Sequence, residues 1–147
     1  MNDERVLRFG AQDPQIEIRA AIERDRALPS LGDARLSIQV RSSGFAGHND
    51  LWVRREGLVA FAAALAQLDR LLAGEARLSS ISPEELELTV RAVSSRGHLA
   101  VEGRLGHRLQ GDNAWFLHAV AFGFEIAPAQ VSAALRDSWL NEYVLPR

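Results

Sequence analysis

Apolar and polar residues alternate along four stretches of this chain. Ile16, Ile18, Ala20 and Ile22 alternate with Glu17, Arg19, Ala21 and Glu23, and Leu36, Ile38 and Val40 with Arg35, Ser37, Gln39 and Arg41. Further on, Leu86, Leu88, Val90 and Ala92 alternate with Glu85, Glu87, Thr89 and Arg91, and Leu99, Val101 and Leu105 with Glu102 and Arg104. A period of two predicts strands with one buried face and one wet face. Two shorter runs join them, Val6 to Phe9 as a short edge strand and Asp50 to Val53 as a short returning strand. The segment from Ala114 to Ile126 is apolar on both parities, which predicts a central strand covered on both faces.

One stretch has the other period. Leu58, Phe61, Ala62, Leu65, Leu68 and Leu72 recur at spacings of three and four, a continuous apolar stripe that predicts a helix from about Arg55. Gly74 is placed to be its left-handed stop. Pro128 suits the first position of a second helix, with Val131, Leu135 and Trp139 as its stripe and Tyr143 one turn on. Leu28-Pro29-Ser30-Leu31-Gly32-Asp33, Ser42 to Asn49 and Ser94-Ser95-Arg96-Gly97 read as turns, and Gly103 marks a bulge or a close-packing point within its strand. The sum is α+β: a mostly antiparallel sheet of about six strands, one long amphipathic helix packed on a face and a shorter C-terminal helix, in a single domain over residues 1–147.

Composition narrows the function classes. With 47% hydrophobic and 24% charged residues, the 147-residue chain has an ordinary globular balance and enough length for a core without staples. The 17 basic and 19 acidic residues leave a net charge of −2, no footprint for nucleic acid. Every basic residue is Arg and none is Lys, which favours planar, multi-donor contacts with carboxylates. Cysteine is absent, which excludes thiol chemistry. No run approaches the roughly 18 apolar residues of a membrane helix, and the polar start Met1-Asn2-Asp3-Glu4-Arg5 leads into no apolar leader; the expectation is a cytoplasmic protein without membrane contact.

Candidate chemistry is sparse. His48, His98, His107 and His118 show no metal-ligand spacing, and His118, on the parity of Phe116, Val120, Phe122 and Phe124, reads as a core or near-core residue. Glu84, Glu85 and Glu87 read as a solvated turn and strand start. No serine sits in a nucleophile elbow, and Gly44-Phe45-Ala46-Gly47 is followed by a strand and no Lys, so it is no phosphate loop. Neither an enzyme nor a cofactor or metal is expected. What remains is the outward face of the strands, where Arg19, Arg41, Glu87, Arg91, Glu102 and Arg104 form a mixed-charge surface, read either as a solvated face with cross-strand Glu–Arg pairs or as a surface for protein recognition. Phe45 is a candidate anchor beside it, and Trp52 is read either as anchor or as core.

The order of these segments is similar to a known family. The turn Gly44-Phe45-x-Gly47 leads to the strand Asp50-x-Trp52-Val53 and then to the helix Leu58-x-x-Phe61-x-x-x-Leu65-x-x-Leu68. Leu72-x-Gly74-x-Ala76-x-Leu78, Leu86-x-Leu88 and Gly97-His98-Leu99-x-Val101-x-Gly103-x-Leu105 follow. The chain resembles, from about Gln15 to Trp139, the WapI-like immunity proteins of bacterial polymorphic toxin systems. The resemblance implies a non-enzymatic partner that binds and neutralises the C-terminal domain of a cognate toxin. A small-ligand-binding domain, with a pocket between the long helix and the sheet near His118, and a self-associating structural subunit are the alternatives from other classes.

Overall fold

The computed structural model describes residues 2–145, with side chains from Arg5 onward. Eight strands form two separate antiparallel meanders. The first sheet has the order β1 (Asn2–Gly10), β2 (Gln15–Ile22), β3 (Ala34–Ser42), β4 (Phe45–Val53), and the second β5 (Glu75–Ser79), β6 (Leu86–Ala92), β7 (Leu99–Gln110), β8 (Trp115–Ile126). Helix α1 (Arg55–Leu71) joins the sheets, and α2 (Pro128–Asp137) follows β8, so four strands and a helix occur twice in succession. A 3-10 turn, Trp139–Tyr143, completes the order. The α+β class with antiparallel pairing stands; the single six-stranded sheet is corrected to two sheets of four. The added strand, β5, offers only Ala76 and Leu78 as apolar positions.

The alternating positions bury as their period requires. Ile16, Ile18, Leu36 and Ile38 are fully buried on one inner face and Leu86, Leu88, Val90 and Val101 on the other. Both faces share one apolar core with Leu58, Phe61, Ala62, Leu65 and Leu68 of α1 and Val131 and Leu135 of α2. The start of α1 is capped from a distance, since Arg55 N–H donates to the Asp33 carboxylate at 2.8 Å. The left-handed residue that stops it is Leu72, φ 52°, whose N–H returns to Leu68 C=O at 2.8 Å. Gly74 also has a positive φ, two residues after the helix has ended. Pro128 opens α2 as its fixed φ favours.

Trp139 and Tyr143 lie on the 3-10 turn instead of extending α2. The β1–β2 register shifts between Asp3 and Leu7. Beside that irregularity, the buried indole N–H of Trp139 donates to Ile18 C=O at 2.9 Å. Tyr143 Oη donates to Gly32 C=O at 2.7 Å. The Gln130 side chain takes the N–H of Gly10 at 2.8 Å. Through these three contacts the C-terminal segment is fastened to the first sheet.

The two sheets meet where β4 approaches β7 and β8. Asn49 Nδ2 donates to Gly106 C=O at 2.8 Å. A Cβ on Gly47 would come within 2.7 Å of a Val120 methyl, so a larger residue there would have to displace Val120. Gly103 is the close-packing point expected of it, because a Cβ there would lie 2.1 Å from the Glu87 carbonyl oxygen. No helix among the described residues is long and apolar enough to cross a membrane.

Candidate interaction surfaces

The six charged residues singled out by pattern fall on two different faces. Arg19 and Arg41 stand on the outer side of the first sheet, Glu87, Arg91, Glu102 and Arg104 on the outer side of the second. On the second sheet the charges largely satisfy one another. Arg91 Nε bonds Glu102 Oε1, and Ser79 Oγ donates to Glu87 Oε2 at 2.8 Å. Arg104, directly opposite Glu87 in the ladder, has no ion-pair partner among the described residues.

The outer side of the first sheet is more open. None of its side chains among the described residues is buried. Arg8 pairs with Glu17 at 3.2 Å, Arg35 with Asp50 at 3.0 Å, and Arg19 reaches Glu17 only at 3.8 Å. Arg41 has no ion-pair partner among the described residues. Trp52 lies on this side, opposite Arg35 and 42% exposed, so its place is the surface and not the core. An aromatic ring amid Arg side chains with a polar surround is the composition that dominates binding energy at protein interfaces.

Ser43 and Gly44, with φ of 54° and 88°, make the two-residue turn between β3 and β4. The two positive angles suit a turn whose twist matches the strands. Phe45 follows it, 69% exposed at the tip of the hairpin. The returning strand is longer than its apolar pattern, since Gly47, His48 and Asn49 also belong to β4.

The largest departure from the sequence reading is β8. It is an edge strand, not a central one. Pairing of β6 with β7 ends at Leu86↔Leu105, whereas β7 and β8 continue through His107↔His118 and Leu109↔Phe116 to Gln110↔Trp115. The last four rungs, from His107↔His118 on, therefore project as a two-stranded arm. Leu109, Trp115, Phe116 and Leu117 on it are 43% to 57% exposed, and they occupy both faces. His118 is exposed as well, which corrects its assignment to the core. Arg108 Nε bonds Glu84 Oε2 at 2.7 Å and steadies the root of the arm.

Between β4 and that root lies a cleft of about 440 Å³ lined by Ala46–His48, Leu105–His107 and Leu117–Val120. It gathers His48, His107 and His118, which no spacing in the sequence joins. His48 is engaged with Ser37 Oγ at 3.2 Å and Asp50 Oδ1 at 3.5 Å. Among the described residues no three His, Asp or Glu side chains are grouped to hold a metal ion. Glu84, Glu85 and Glu87 turn to separate neighbours, Arg108, Asn49 and Ser79, and form no carboxylate pair across a cleft. Comparison of the chain with protein-family models, with curated proteins and with solved structures finds no match in any of the three.

Proposed function

We propose that this chain is a non-enzymatic protein-binding domain that works as an immunity protein, neutralising a cognate toxin domain by covering its active site or substrate groove. The observation that carries the reading is the open outer side of the first sheet, where Trp52 stands beside Arg35, with Arg19 two strands away and Arg41 at the far end of β3. The segment pattern from Gly44 to Leu105 that resembles the WapI-like immunity proteins supports it from the sequence side. Inhibition by occlusion is an equilibrium effect, so it needs tight binding, on the order of nanomolar or about −12 kcal/mol, and no acid, base or nucleophile.

The test is co-expression with the C-terminal domain encoded by the neighbouring gene, reading growth and co-purification. A stoichiometric complex that restores growth supports the reading; no complex with a harmless neighbouring domain overturns it. Within such a complex, Trp52→Ala weakens binding by about 30-fold or more, the cost of an interface anchor. Arg41→Glu slows association and, if the partner is acidic, flattens its salt dependence. Wild-type kinetics in both variants would remove this face from the proposal.

One observation favours a second reading. The histidine-lined cleft beside β4 has the volume of a small-molecule site. Thermal stabilisation by a member of a metabolite panel, lost in His118→Ala, would bring that reading forward.

A further inference from the structure

The arm raises a question that the partner-binding face does not answer: what covers its edge. Gly111 N–H donates to Ala114 C=O at 2.8 Å and closes the hairpin. The register behind it runs without a shift to Leu99↔Ile126. Hydrogen-bonded pairs alternate along an antiparallel ladder, so Phe116 and His118 bond to β7, while Trp115, Leu117 and Ala119 turn their N–H and C=O groups to the open edge. Gly106 fixes the same phase from the other strand, since its N–H points away from β8 to Glu85 C=O at 2.9 Å. From Ala114 to Phe124 the sequence holds no charged residue and no proline. Edge strands are ordinarily guarded by Lys, Pro, bulges or inward charges, and this stretch has none of them.

We propose that a second copy of this chain covers the edge, β8 pairing antiparallel with β8 about a two-fold axis at Leu117. The two second sheets then join into one continuous sheet. The inference goes beyond the partner-binding reading, because it uses the opposite sheet and leaves Trp52 and Arg41 free.

The phase of the ladder fits this axis. With Leu117 opposite Leu117, Trp115 falls opposite Ala119 and Phe116 opposite His118, and every outward N–H meets an outward C=O. Trp115 lies over a methyl, large against small, and the two rings at Phe116 and His118 lie side by side. A symmetric contact sets each residue near its own kind, so any charge on the axis would face its own sign. The uncharged stretch suits a self-pair for that reason. Edge-to-edge pairing buries the main-chain edge of β8 and the flanks of Trp115, Phe116 and Leu117, a contact at the small end of interface sizes, so a weak dimer is expected.

Sedimentation equilibrium of the whole chain across about 1–100 µM tests the proposal. The expected mass is twice the 16.2 kDa of the chain, falling to the single mass in Leu117→Arg with unchanged circular dichroism. A monomer throughout, or a dimer that Leu117→Arg leaves intact, overturns it. The register is tested separately, since the chain has no cysteine of its own. Across the axis the Leu117 Cα atoms would be about 5.5 Å apart, within disulfide reach. The Ala119 Cα atoms would be about 13 Å or more apart, beyond it. Leu117→Cys is therefore expected to cross-link under mild oxidation and Ala119→Cys to remain single. Equal cross-linking of both, or of neither in a dimer, overturns the axis at Leu117.

Discussion

Raising the pH from 9 to 12 should destabilise this protein through one side chain. The chain has no Lys, no Cys and a single Tyr, Tyr143. The α-amino group titrates near 8 and Arg above about 12, so the interval between belongs to that phenol. Burial pushes the Tyr143 phenol from 10.0 up to about 12, and Glu142 and Asp33 add to the shift while Arg24 and Arg55 oppose it. Its O–H also donates to Gly32 C=O, a bond that ionisation destroys. A folded-state value above the unfolded one means the unfolded chain releases its proton first as pH rises. The stabilisation is complete below pH 10 and is lost as pH approaches 12. Two pH units correspond to about 2.7 kcal/mol, an upper figure for the loss. Urea unfolding followed by circular dichroism at several pH values between 9 and 12 reads it, with phenolate absorbance giving the titration directly. Tyr143→Phe is expected to cost about 1–2 kcal/mol at pH 7 and to abolish most of the alkaline decline. A phenol titrating near 10 in the folded protein, or an equal decline in Tyr143→Phe, would refute the reasoning.

Three more substitutions probe the packing of the fold. Trp139→Phe leaves the Ile18 carbonyl without its donor and opens about 40 Å³ in the core, so it should cost about 2–4 kcal/mol in urea unfolding; Trp115→Phe, at an exposed position, should cost under about 0.5 kcal/mol. Gly103→Ala places a methyl against the Glu87 backbone and should lower the melting temperature by about 5 °C or more, with protection from hydrogen exchange falling first along β6 and β7.

The strands that could be read in advance are those whose inner positions are all apolar. β2, β3 and β6 bury Ile, Leu, Val and Ala at every second residue, and the stripe of α1 buries from Leu58 to Leu68. β4 is legible only at its end, because Gly47 and Asn49 occupy its inner face where the strand crosses the second sheet. Those two residues serve contact between sheets, and a hydrophobic pattern does not register that purpose. β5 escapes because two apolar residues in five make no period. β8 shows the deeper ambiguity: apolar residues on both parities describe a strand covered on both sides equally well as an arm waiting to be covered. His118 took its assignment from that error. Partition into two sheets was hidden too, since a helix between β4 and β5 is compatible with either one sheet or two.

On the candidate surface, Arg19 and Arg41 were found by alternation, and so were the four charges of the second sheet. Alternation could not say that Arg91 and Glu102 are engaged with each other while Arg41 stands alone, because cross-strand register is a long-range property. The hairpin arm and the gathering of His48, His107 and His118 depend on the same register. Only the uncharged run from Ala114 to Phe124 left a trace of the arm in the sequence.

Every ladder among the described residues joins strands that are neighbours along the chain, with no crossover between them. Each meander can complete its pairing from local encounters, which close short loops and incur little entropic cost. The bonds of Trp139 to Ile18, Gln130 to Gly10 and Tyr143 to Gly32 are of another kind, spanning 121, 120 and 111 residues. This topology predicts that the two meanders close early and the long-range bonds form late, as a clasp. High pH or Trp139→Phe removes one bond of that clasp and leaves the other two, with the shared apolar core, to hold the first and last segments together.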